Sequence, residues 1–118
     1  IQEWYQDNSK VLTSRGFERD QADGSLANWF MIQGKLDKDR GGAVMMSLPT
    51  TFNHPQPLRI WPAIPEEQSR IMAMFAPTKN RDWTLHSGVT YGLRYRMIVF
   101  DGKMKSRKAN KLWNNYIN

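Results

Sequence analysis

The hydrophobic and polar positions repeat mostly with period two, the signature of strands with one buried face. In "SLANWFMIQGKL", Leu26, Asn28, Phe30, Ile32 and Leu36 fall on one side, and Ala27, Trp29 and Met31 on the other. A strand apolar on both sides belongs between two layers. The polar run "DKDRGG" follows, with glycines suited to the positive φ of a turn, and leads into a second strand, "AVMMSL". The pair predicts a hairpin. "SRIMAMFA" at 69–76 is a further short strand, and "KVLTSRGFERD" at 10–20 a weaker one. The longest alternation is "VTYGLRYRMIVF" at 89–100. It predicts that Val89, Tyr91, Leu93, Tyr95, Met97 and Val99 are buried, opposite a face bearing Arg94 and Arg96.

The period then changes. Ala109, Leu112, Trp113, Tyr116 and Ile117 recur at intervals of mostly three and four. This predicts an amphipathic helix over about 103–117, with Asp101 as a candidate cap and a solvated basic face. Cations toward its C-terminus would suit the helix dipole. The pattern as a whole predicts a mainly β chain, an antiparallel β-sandwich with one C-terminal α-helix. One domain accounts for residues 1–118, with the strands within 10–100.

Composition narrows this little. The chain has 118 residues, no cysteine, and a hydrophobic fraction of 40%. That suffices for a core without disulfides or a structural metal. No apolar run approaches the ~20 residues of a membrane helix. The chain opens at Ile1 without a targeting pattern, as expected of a processed product or an excised piece. Of the net charge of +6, five units come from Lys103, Lys105, Arg107, Lys108 and Lys111 in the last segment, which holds no acid after Asp101. Charge confined to one helix makes nucleic acid a poor partner for the fold.

Candidate chemistry concentrates in "TTFNHPQPLRIWP", residues 50–62. Pro55, Pro57 and Pro62 fix φ and hold their predecessors extended. A stretch short of ladder donors is expected at an edge or across the mouth of the sandwich, not in a sheet's centre. Arg59 offers a bidentate fork, Trp61 a flat face for a sugar, and His54 a proton carrier near neutral pH. The alternative is a rigid connector with Trp61 in the core. His54 and His86 lack the spacing of a metal site, so no metal and no cofactor is expected. Glu66–Glu67 and the Asp82–His86 stretch read as solvated loops, and no motif fixes a reaction.

The succession from "ANWFMIQGKLDKDRGGAVMMSLP" through "MFAP" to "GVTYGLRYRMIVFDGK" resembles the C-terminal half of the PmoA-like family, often labelled methane oxygenase PmoA. Trp29, Gly34, Gly42, Val44, Pro49, Pro55 and Pro57 match its pattern, as do Leu93, Arg94, Tyr95, Arg96, Asp101 and Gly102. The resemblance covers about residues 26–118. It implies a β-sandwich of an exported bacterial protein, periplasmic or extracellular, associated with glycan or glycoside breakdown. It does not imply methane oxidation, which needs membrane spans and ligands that this pattern lacks. Ser47-Leu48-Pro49 stands where the family has Asp-His-Pro, Pro57-Leu58-Arg59 where it has Pro-Trp-His, and Thr51 where it has Asn.

The resemblance leads to a glycan-binding or glycan-processing domain, with His54, Arg59, Trp61, Arg94 and Arg96 at its ligand. The rival reading is a structural or interaction module with no small-molecule site. The resemblance also implies a missing N-terminal half. Trp29 and Met31 would then face a second copy or a partner segment.

Overall fold

A computed structural model describes residues 3–118; the expectation attached to Ile1 lies outside them. The elements are strand β1 (Ser9–Thr13), helix α1 (Arg19–Ala22), strands β2 (Leu26–Ala27), β3 (Trp29–Leu36), β4 (Asp39–Ser47), β5 (Gln56–Ile60), β6 (Ala73–Phe75) and β7 (Tyr95–Asp101), and helix α2 (Ser106–Ile117). They form an antiparallel sandwich. One sheet has the order β1-β3-β4-β7 and the other β2-β5-β6.

β3 is the wall between two cores. Phe30 and Ile32 point toward the second sheet, where they meet Val11, Leu58, Ile60 and Phe75. Trp29 and Met31 point the other way and pack with Val44, Met46 and the α2 residues Ala109, Leu112 and Trp113. The two-sided apolar pattern of β3 is thus satisfied by a sheet below and a helix above. Trp29 and Met31, expected to seek a second copy, are fully buried within this chain.

The hairpin pairs Trp29 with Met46 and Leu36 with Asp39. Its turn is at Asp37 and Lys38, with Asp37 in the left-handed region at φ 47°. The glycines of "DRGG" therefore serve a different purpose from the turn expected of them. They lie inside β4, where strands crowd. A Cβ on Gly42 would stand 2.4 Å from the Ile32 carbonyl oxygen and 2.6 Å from the Phe100 ring.

Four boundaries differ from the periodicity. The 10–20 stretch is a strand only to Thr13; Gly16 at φ 82° turns the chain into α1. The 69–76 strand shortens to Ala73–Phe75. The 89–100 alternation is a strand only from Tyr95, and its faces are reversed. Ile98 and Phe100 pack under α2, while Met97 and Val99 are exposed. β7 is the last strand of its sheet, and on the side expected to be buried Tyr95 packs on Phe75 of the smaller sheet while Met97 and Val99 stay exposed. Finally, β5 lies in the centre of its sheet despite Pro57. The Pro57 carbonyl accepts from the Ala76 N–H, while the Leu58 N–H donates to Ser25. The strand bonds around its missing donor.

α2 begins at Ser106, with Lys105 rather than Asp101 in the cap position and no side-chain cap. Its cations occupy the N-terminal turns, and the last turn has none. The dipole match expected for a basic C-terminus is absent. Tertiary bonds position the helix instead. Trp29 Nε1–H donates to Asn110 Oδ1 (2.8 Å), and Trp113 Nε1–H to the Ser47 carbonyl (2.9 Å). The Gln33 amide brackets Met104, donating to its carbonyl and accepting from its N–H.

Candidate functional site

The five residues expected at one ligand fall into two groups on different faces. Arg59 and Trp61 project from the outer face of the three-stranded sheet, while Leu58 and Ile60 face the core. His54 and Arg96 lie at the seam between the larger sheet and α2, and Arg94 is bonded through its backbone to the loop after β4.

At the seam, Ser47 Oγ and His54 Nδ1 are 3.1 Å apart, and the imidazole stacks on Trp113 with rings 7° from parallel. A Ser–His contact is the start of a nucleophile–base pair. Here Ser47 is completely buried, so its hydroxyl cannot meet a substrate. The contact ties the loop carrying His54 to the end of β4, and the imidazole in turn packs on α2 at Trp113. The His54–Pro55 peptide is cis. Thr51 Oγ1 donates to the Arg94 carbonyl (3.0 Å) and accepts from its N–H (3.3 Å). Arg94 thus serves through its backbone, with its side chain exposed. The Arg96 guanidinium lies 4.4 Å over the Tyr116 ring, a cation–π contact that covers the helix seam.

Burial lowers the His54 pKa from its ordinary value. The neutral ring is the form the fold prefers, so the unfolded chain binds more protons in the window below about 6.5. Stability present above that window is lost as pH falls through it. Wild type should therefore lose more thermal stability than His54→Gln between pH 7.5 and 5. Equal losses in a pair of melting curves would remove this role from His54.

The other group is better formed. Arg59, Trp61, Pro62, Thr78, Lys79 and Asp23 line an open cleft of about 540 Å³. Trp61 is 50% exposed, which excludes the core placement. Its backbone is fixed at both ends. The Trp61 N–H donates to the Met72 carbonyl, and Arg19 Nε–H donates to the Trp61 carbonyl (2.8 Å). Arg19 is itself buried and also reaches the Ser69 and Arg70 carbonyls. Asp23 accepts from the Ile60 N–H (2.9 Å) and from Lys79 Nζ (2.9 Å). The Ile60 bond, then Lys79, holds the Asp23 carboxyl below the usual carboxylate range. Arg59 forms no ion pair among the described residues.

The cleft thus offers an indole face, a free guanidinium, a neutralised Lys–Asp pair and a hydroxyl. An indole face can stack on a ring, and a guanidinium can hydrogen-bond hydroxyls or a carboxylate. It holds one carboxylate, already engaged, where glycosidic hydrolysis uses two. Asp23, Lys79 and Arg19 were not among the expected site residues. Asp23 and Lys79 stand 56 positions apart, and no local pattern joins them.

Elsewhere, Trp83 stacks on Phe52 and His86 is exposed. Among the described residues, no three His, Asp or Glu gather as metal ligands, and no helix is long and apolar enough to cross a membrane. One family model, described as a family of unknown function (DUF6807), matches residues 2–114. No curated protein and no solved structure matches the chain.

Proposed function

This chain belongs to the DUF6807 family of unknown function, and from that premise we propose that it is a carbohydrate-associated β-sandwich domain that binds a glycan or glycoside. The observation that carries this reading is the cleft joining exposed Trp61 to unpaired Arg59, Thr78 and the Lys79–Asp23 pair. Trp61 supplies the platform and Arg59 grips a carboxylate or vicinal hydroxyls. His54 and Arg96 belong to the helix seam and Arg94 to the loop after β4, and none of the three lines this cleft. The resemblance to the PmoA-like family supports the sugar class and an exported, periplasmic or extracellular setting. An interaction role draws on a separate surface, the free edge of β7.

Screening on a glycan array that includes acidic polysaccharides, followed by titration, tests the assignment. Trp61→Ala should weaken binding by about tenfold or more, the worth of an aromatic contact of ~1.5 kcal/mol. Arg59→Ala should weaken carboxylated ligands more than neutral ones. No binding by wild type, or unchanged affinity in both variants, would overturn the reading.

A further inference from the structure

The free edge of β7 is built unlike the other edges of the sandwich. β7 runs Tyr95–Asp101 and, among the described residues, its strand pairing is with β4 alone. The opposite edge, β1, is partly covered by its own chain, through a bridge from Leu12 to Glu18 and a bond from Thr13 to Phe17. The edges of the other sheet, β2 and β6, are two and three residues long. Natural sheets guard long free edges with prolines, bulges or charges pointing inward. β7 has no proline, and its inward positions between Tyr95 and Asp101 are Met97 and Val99.

Those two side chains should be core. Met97 pairs with Met45 and Val99 with Ala43, on the face that packs the second sheet. They are nevertheless 57% and 75% exposed. The second sheet ends at β6, whose Phe75 reaches only as far as Tyr95 (ring centroids 5.3 Å). An apolar opening of about 310 Å³, lined by Met45, Met74, Phe75 and Leu93 among others, remains at the β6–β7 side. On the other face of β7, Arg96 forms no ion pair among the described residues.

We propose that β7 accepts a further strand from a partner polypeptide, one carrying apolar side chains at alternate positions and carboxylates between them. Main-chain bonds to β7 supply affinity and the alternation supplies specificity. The apolar residues continue the core over Met97 and Val99. The carboxylates stand beside Arg96 as cross-strand partners. A second copy of β7 is a poorer match. Full-length antiparallel pairing centred on Ile98 sets Arg96 against a phenylalanine, with no acid opposite it.

The test titrates the chain with three synthetic peptides as long as β7, and follows amide exchange by NMR. One alternates valine and glutamate, one alternates valine and lysine, and one has the first composition in two blocks. The valine–glutamate alternation should slow exchange of the β7 amides not bonded to β4. It should bind about fivefold more tightly than the lysine peptide. Arg96→Glu should reverse that ranking, and Met97→Lys should abolish protection. Met97 is exposed, and Arg96→Glu gives up its cation–π contact with Tyr116, so far-UV circular dichroism and a melting curve verify that both variants keep the fold. Equal protection by the block peptide, or none by any peptide, would overturn the proposal. So would a dimer of the free chain in sedimentation equilibrium that Met97→Lys splits, since the occupant would then be a second copy.

Discussion

Replacing Trp29 by alanine should cost about 3–5 kcal/mol, the largest loss expected of any single truncation in this chain. Trp29 is wholly buried between β3 and α2, and its indole N–H is bound to Asn110. Truncation empties the centre of the helix-side core and leaves the Asn110 amide without its partner. Set against a typical total of ~5–15 kcal/mol, such a loss leaves the chain close to its unfolding threshold. Trp29→Phe separates the two contributions. It keeps the ring and removes the hydrogen bond, and should cost about 1 kcal/mol plus the smaller volume. Urea denaturation with an unchanged slope reads both values. A Trp29→Ala midpoint equal to wild type would show that α2 does not depend on this residue.

Arg19→Lys should cost about 2–3 kcal/mol, although the charge is kept. Arg19 is buried, and its guanidinium spans Trp61 on one side and Ser69 and Arg70 on the other. A lysine ammonium is a single point and cannot bridge both ends of that span. The loop from Trp61 to Arg70 would lose its internal tie while the sheets remain paired. Hydrogen exchange should therefore accelerate at Ile64 and Ser69, with β3 and β4 little changed. Uniform acceleration through the whole chain would instead make Arg19 a general stability residue.

The alternation of β3 revealed a strand buried on both sides, because Trp29, Phe30, Met31 and Ile32 leave no face polar. The stripe from Ala109 to Tyr116 likewise revealed α2. β7 misled for a physical reason. Met97 and Val99 alternate with Arg96, but Ile98 and Phe100 are apolar as well, so the pattern has two candidate inner faces. The face actually covered is the one beneath α2, a helix whose docking periodicity does not encode. Pro57 argued against a central strand, yet its neighbours supply the donors. Within 50–62, sequence proximity suggested one site. The chain instead passes from the α2 seam into the second sheet between His54 and Arg59, and the two ends face different surroundings. The cleft that Arg59 and Trp61 line depends on Asp23 and Lys79, which come together only by folding.

β3 also has a thermodynamic consequence. Its successive residues alternate between two hydrophobic compartments that never touch, Phe30 in one and Met31 in the other. A slip of one residue would exchange the contents of both at once. The compartments are therefore linked without contact, as two rooms are linked by a common partition. Loosening either one removes the support that holds the wall in place for its neighbour.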